Sequence, residues 1–169
     1  WREGIVTFHG EYFNFSKMGI FPLPVSRPRP PIIIGATALS SARLLARRAD
    51  GFMPLLTRAL CQPTDQDHMR DEICAELERV GRAKSEIMMT GLTSFRVTKA
   101  SDEESQRKPR WNFGGTPDQI LEDLAKYAAH GYGMLIMAPI CPSRTYAEFQ
   151  EQAEWFGREI MPEAKKITV

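Results

Sequence analysis

Between Gly35 and Ser41 the chain reads Gly-Ala-Thr-Ala-Leu-Ser-Ser, and these are residue types that can hold an anion. Gly35 leaves the turn without a side chain, so a ligand can approach the backbone. The hydroxyls of Thr37 and Ser40, with Ser41 beside them, can donate hydrogen bonds. Where such a turn opens a helix, the first amides have no partner within the helix, and the macrodipole favours negative charge. The chemistry this allows is phosphate binding. The same residues also suit a plainer purpose: Ser40 or Ser41 can cap the helix, and Gly35-Ala36 can let strand and helix pack closely. Neither the dinucleotide fingerprint GxGxxG nor the P-loop GxxxxGK[ST] is present, so these residues alone leave both readings open.

The surrounding pattern predicts what positions this turn. Ile32, Ile33 and Ile34 run without alternation, as in a strand buried on both faces. From Ser40 the period becomes helical, with Ala42, Leu45, Ala46 and Ala49 on one face and Arg43, Arg47 and Arg48 turned away. "DGFMPLL" predicts a second strand. Met69, Ile73, Leu77 and Val80 predict a helix over 64–80 that stops at Gly81. "EIMMTGLTSFRV" is a third strand, followed by the polar loop "SDEESQRKPRW". Thr116 as N-cap, Pro117 at the first helical position and Asp118 near the dipole predict a helix that buries Ile120, Leu124, Tyr127 and Ala128. "GMLIMAP" is a fourth strand, and a last helix over 144–160 is expected to bury Phe149, Ala153, Phe156 and Ile160. Ahead of all this, "IVTFHGEYFNF" predicts a hairpin around His9-Gly10, and five prolines between Pro22 and Pro31 predict a stiff, extended arm. Strand-helix alternation argues for an α/β fold with a parallel sheet.

Composition narrows the function. The 169 residues carry a net charge of +1, which gives no electrostatic footprint for nucleic acid. No apolar run approaches the length of about 18 residues that a membrane span requires. Cys61, Cys74 and Cys141 fit no zinc or redox spacing, and an odd count with no signal-peptide pattern favours reduced thiols and a cytoplasmic setting. His9, His68 and His130 are far apart, read as solvated helix or turn positions, and predict no metal site.

Several of these segments together resemble the bacterial luciferase-like monooxygenases, a superfamily whose members use FMN or the deazaflavin coenzyme. "PPIIIGATALSSARLLARRADGF" is similar to that family's apolar strand, small-residue turn, Ala-rich helix and Ala-Asp-Gly-Phe series. "VTFHGEYFNF", "VGRAKSEI", "GGTPDQI" and "FGREIMPEAKK" resemble further family segments in the same order. The family fold is a (β/α)8 barrel, which takes about 250 residues. The resemblance therefore implies the C-terminal half of a TIM-type barrel: residues 1–31 a hairpin and proline-rich arm, residues 32–169 a half-barrel of four βα units. A start at Trp1 rather than methionine is in keeping with that expectation. The polar stretch before "GGTPDQI" is short for many members, so the helix after the third strand is expected to be reduced or absent.

The resemblance further implies that Gly35, Ala36, Thr37 and Ala38 offer backbone contacts to the cofactor phosphate, with Thr37 and Ser40 adding hydroxyls. The implied function is that of a flavin- or deazaflavin-dependent oxidoreductase acting on a small-molecule substrate. Its expected partners are a complementing N-terminal half or further copies of the chain. Met53, Pro54, Ser94, Arg96, Ala138 and Pro139 fall near strand ends where barrel active sites lie. Ser94 or Arg96 could line the pocket; a solvated or outward Arg96 is preferred to a catalytic one, and no catalytic residue is assigned. Two other readings stand beside this one: a self-associating, non-catalytic half-barrel that binds a phosphate ligand, and a (β/α) phosphate-ester enzyme without flavin.

Overall fold

The computed structural model describes residues 3–56 and 62–168. The chain divides into two compact units, Trp1–Ile32 and Ile33–Val169. In the first, β1 (Ile5–His9) and β2 (Asn14–Gly19) pair antiparallel. Phe8 stacks on Phe15 across the strands, with ring centroids 5.7 Å apart. The proline-rich segment that follows has no regular secondary structure and bends at residue 22 and over 25–28.

The second unit is built around one long strand. It contains β3 (Ile33–Ile34), α1 (Ala42–Arg48), β4 (Gly51–Phe52), α2 (Asp67–Arg79), β5 (Met88–Val97), α3 (Glu103–Gln106), β6 (Gly114–Gly115), α4 (Pro117–Ala129), β7 (Tyr132–Pro139), α5 (Tyr146–Trp155) and α6 (Met161–Ala164). The sheet is entirely parallel, and β3, β4, β5 and β7 lie side by side in chain order. The amides of Met88 and Leu92 donate to Asp50 and Pro54, whereas those of Arg96 and Thr98 donate to Phe113 and Gly115. Alternate amides of a strand face the same edge, so the short β6, which the sequence did not reveal, continues the line of β4 along β5. The stretch expected to be a reduced helix is the four-residue α3.

Two apolar clusters hold the helices to one side of the sheet. Ala42, Leu45, Ala46 and Ala49 of α1 meet Met69, Ile73 and Leu77 of α2 over Phe52. Arg82 closes the end of α1 by donating to the carbonyls of Ala46 and Ala49 at 2.8 and 2.9 Å. The amides of Gly81 and Arg82 fold back onto Glu78 and Leu77 to end α2. Phe95 and Val97 of β5 pack with Phe113, Ile120, Tyr127, Tyr132 and Ile160.

The other side of the sheet is different. Leu55, Leu92 and Ile136 are register neighbours on three adjacent strands, so they project to the same face. They are 49%, 37% and 45% exposed. β3, expected to be buried on both faces, is only half-buried, because it is an edge strand of this sheet and the face opposite the helices is uncovered.

The last helix corrects another expectation. Phe149 and Ala153 are exposed, Phe156 is half-buried and Ile160 is buried, while Gln152 points inward. The helix widens into a π turn over Phe156–Ile160, which rotates everything beyond it relative to α5. One 3.6-residue stripe cannot run through such a turn. Gln152 uses its amide as a peptide would: Val97 N–H donates to Oε1 at 2.8 Å, and Nε2 donates to Val97 C=O at 3.0 Å.

The loop before α4 wraps around a buried ion pair. Arg110 donates to both oxygens of Asp123 at 2.8 and 2.9 Å, and Asp123 is 1% exposed. Asp123 also accepts from the Phe113 amide at 2.8 Å, holding Phe113 at φ 59° with its ring against Tyr127. Gly115 has φ 145° and would drive a Cβ to 2.3 Å from the Gln119 carboxamide oxygen, so only glycine fits there. Asp123→Ala should lower stability by about 3–5 kcal/mol, since it removes the counter-charge of the largely buried Arg110 and leaves the Phe113 amide without an acceptor; urea unfolding checks this.

The Tyr132 hydroxyl is buried without a hydrogen-bond partner, and burial pushes the phenol up to about 12. The folded state thus keeps its proton where the unfolded chain begins to lose it near pH 10. The contribution to stability is complete below about pH 10 and is lost as pH rises towards 12. Tyr132→Phe should remove that alkaline loss and gain about 1–3 kcal/mol at neutral pH by deleting an unpaired polar atom. Thermal unfolding of the two proteins at pH 7 and pH 11 measures both effects.

Candidate functional site

The turn after β3 begins with a close approach. Met53 N–H donates to Ile34 C=O at 3.0 Å, and a Cβ on Gly35 would lie 3.3 Å from the Met53 carbonyl oxygen. Glycine at this position lets β3 lie tight against the start of the next segment. Ala36 is half-buried against the first core cluster, whereas Gly35, Thr37, Ala38 and Ser40 are exposed.

The helix then opens through a 3-10 turn, Leu39–Ser41, in which the Ser41 amide donates to Ala38 C=O at 2.9 Å. This overturns the capping role expected of the serines. The extended residue at the entry is Ala38, which has no side-chain oxygen, and Ser41 is already in helical geometry. Neither start carries a side-chain cap. Among the described residues, the hydroxyls of Thr37, Ser40 and Ser41 make no hydrogen bond, and the amides of Thr37, Ala38, Leu39 and Ser40 meet no carbonyl.

The entries of α4 and α5 are closed by their own side chains, and a side chain also takes up one amide just ahead of α2 and of α3. Ahead of α2, Gln62 N–H donates to Asp65 at 2.9 Å. Ahead of α3, Lys99 N–H donates to Asp102 at 2.8 Å. At α4, Thr116 and Gln119 bond each other's amides at 3.0 and 3.4 Å, a reciprocal capping box. At α5, Thr145 accepts from Glu148 N–H at 3.2 Å, and Glu148 accepts from the amide and hydroxyl of Ser143. The Ser143 hydroxyl, opposed by partial desolvation and reinforced by Arg96, holds the Glu148 carboxyl below its usual range. An anion at the entries of α4 and α5 would have to displace an oxygen already in place; at the turn after β3 it would not.

Six residues were expected near strand ends, and the structure sorts them. Ser94 and Ala138 are register partners on the uncovered face and are exposed. Met53 is half-buried. Pro54 and Pro139 alternate onto the helix-covered side, where Pro54 is buried. Arg96 is not solvated as expected: it is 21% exposed and donates to Ile140 C=O and to Glu148, both at 3.1 Å. Glu148 was missed, although Thr-x-x-Glu at 145–148 is a readable capping pattern. Gln152 carried no such signal, because its partner is the backbone of a distant strand.

No group of three or more His, Cys, Asp or Glu among the described residues could hold a metal ion. His130 bonds Asp67 at 2.6 Å rather than lying free in solvent. Cys74 and Cys141 are free thiols, and Cys61 lies outside the described residues. No helix among them is long and apolar enough to cross a membrane.

A parallel sheet wound in chain order, with helices packed on one face, defines an α/β protein. The chain belongs to the luciferase-like monooxygenase family, whose model matches residues 1–157. It is 21% identical over 207 residues to the FMNH(2)-dependent dimethylsulfone monooxygenase of Pseudomonas putida, covering 99% of this chain and 55% of that protein. It is 33% identical over 106 residues to an F420-dependent glucose-6-phosphate dehydrogenase of Nakamurella multipartita, covering 62% of this chain and 29% of that protein. Among solved structures, the F420-dependent tetrahydromethanopterin reductase of Methanopyrus kandleri matches with a TM-score of 0.68 at 15% identity, over 95% of this chain and 58% of that one. The monooxygenase RslO1 of Streptomyces bottropensis matches with a TM-score of 0.69 at 15% identity, over 96% and 56%. The chain thus spans about half the length, or less, of the relatives it matches.

Because their hydroxyls bond nothing, Thr37→Val, Ser40→Ala and Ser41→Ala should each change stability by less than about 0.5 kcal/mol. Thr116→Ala, which removes a working cap, should cost about 1 kcal/mol. Chemical denaturation of the four variants separates the two classes.

Proposed function

We propose that this chain carries the cofactor-phosphate site of a flavin- or deazaflavin-dependent oxidoreductase or monooxygenase. In this reading it forms the C-terminal half of a (β/α)8 barrel that a complementary set of four βα units completes. The observation that carries the reading is the open helix entry at Gly35–Ser40: free amides, free hydroxyls and a turn with no obstructing side chain.

The family relationship supports the choice of ligand, since relatives are named for FMNH(2) and for F420. The residues present suit the phosphate of either one. The amides of Thr37, Ala38, Leu39 and Ser40 would donate to its oxygens, the hydroxyls of Thr37 and Ser40 would add directed bonds, and the short helix beyond would contribute a favourable field. Gly35 and Ala36 would leave the backbone accessible. When bound, the flavin or deazaflavin supplies the redox chemistry, and the protein's part is to anchor, orient and exclude water.

The half-barrel reading rests on the sheet. Its strands follow chain order, β3 and β7 end it on either side, and the row Leu55–Leu92–Ile136 lies open to solvent. Four more βα units would pair both edges and bury that row as barrel interior. The same uncovered row favours a second reading, in which two copies of the chain close on each other and bind a phosphate ligand without catalysis. Sedimentation separates the two: a stable homodimer alone supports the second, and assembly only with a complementing half supports the first.

In the completed barrel, Thr37→Val combined with Ser40→Ala should weaken FMN or F420 binding by about 1–3 kcal/mol. Riboflavin, which has the ring without the phosphate, should bind almost unchanged. Titration calorimetry with both ligands decides; equal losses would remove the phosphate from this turn.

A further inference from the structure

β7 leaves one of its two edges open. Ile140 N–H donates to Phe95 C=O at 2.7 Å, and alternate residues of a strand turn their backbone groups to the same edge. Ala138 and Ile136 therefore also face β5, whereas the amides of Leu135 and Met137 and the Pro139 carbonyl face the other way. Among the described residues β7 pairs with β5 alone, so no strand meets these groups. The opposite edge of the sheet is a poorer template, since β3 has two residues and β7 has eight.

An apolar groove of about 530 Å³ lies beside this edge on the helix-covered side of the sheet. β7 contributes Leu135 and Met137 to it, α4 contributes Leu124, and the last helix contributes Phe149, Phe156 and Met161. Phe149 and Met161 remain 47% and 44% exposed, and a Cβ on Gly157 between them would meet nothing within 4 Å. The groove is thus unfilled. A small apolar molecule would leave the edge amides unmatched. An extended segment meets both needs, because its backbone pairs with the edge while every second side chain enters the groove.

We propose that the free edge of β7 and this groove form a strand-addition site. It takes an extended segment of the complementing half, parallel to β7, with every second side chain large, apolar and seated beside the last helix. The choice of occupant rests on the half-barrel reading above. The parallel direction follows from the rest of the sheet. The matching solved folds extend well beyond the part that this chain covers, which leaves them chain with which to cover such an edge. Side chains of the added segment that point the other way would lengthen the row Leu55–Leu92–Ile136 by one strand, so the segment is expected to be apolar on both faces.

The test titrates a capped peptide as long as β7, Lys-Thr-Val-Thr-Val-Thr-Val-Lys, into the full chain. Saturable binding is expected, with hydrogen exchange slowed at the Leu135 and Met137 amides and unchanged at Ile33 and Ile34. Phe149→Lys, on the exposed rim of the groove, should weaken binding about tenfold, whereas Leu92→Lys on the opposite face should not. Residues of β7 that line the groove turn their amides away from β5, and a parallel valine in the groove likewise turns its amide away from β7. N-methylation of the threonines should therefore abolish binding, and N-methylation of the valines should spare it. Protection along β3, no protection at β7, or the reverse methylation pattern would overturn the site and leave the half-barrel reading intact. That reading fails separately, if sedimentation shows the chain alone as a stable homodimer, and the occupant proposed here would fall with it.

Discussion

A parallel strand carries apolar side chains on both of its faces, and water must be kept from both. This constraint organises the second unit. β5 is the strand through which everything else is connected: β4 and β6 share one of its edges, β7 takes the other, and the helices shield one of its faces. The opposite face presents Leu92 between Leu55 and Ile136 and is unshielded. Half of the requirement is thus met within the chain, and the other half is left open along the row Leu55–Leu92–Ile136.

Polar groups close the fold where apolar packing cannot. Asp123 gathers Arg110 and the Phe113 amide into the space between the loop and α4, trading a costly burial of charge for a defined path of the chain. Gln152 replaces a missing peptide at the end of β5. Arg82 closes the end of α1. Each answers the same demand, that a buried donor or acceptor find a partner. Against that background, the unpartnered hydroxyls and amides at Thr37–Ser40 are set apart from the capped entries of α4 and α5, and they lie on the surface rather than in the core. Being exposed, they cost the apo fold little, so a ligand would meet them without first breaking internal bonds.

Much of this was legible in the order of residues. Helix faces at Ala42–Ala49 and Met69–Leu77, the cap at Thr116 and the stop at Gly81 are local signals, set by side-chain period and by backbone preference within a few residues. The hairpin, the strand-helix alternation and the family resemblance follow from the same kind of information. The turn at Gly35–Ser41 could also be picked out by composition, but its meaning stayed divided between capping and ligand binding.

What the sequence could not decide depended on partners far away along the chain. Ser40 and Ser41 have capping side chains, yet the helix opens at Ala38, so their hydroxyls go unused. Arg96 looked like a surface charge until Glu148, 52 residues on, came to meet it. Gln152 turned inward in place of Phe149 because a π turn shifts the face of the last helix. Local order determined which elements form and which residue types line each turn, since those choices are made by neighbours. Only the packed structure decided which polar groups were spent on the fold and which were left over, because that balance is struck between strands and helices that the chain itself keeps apart.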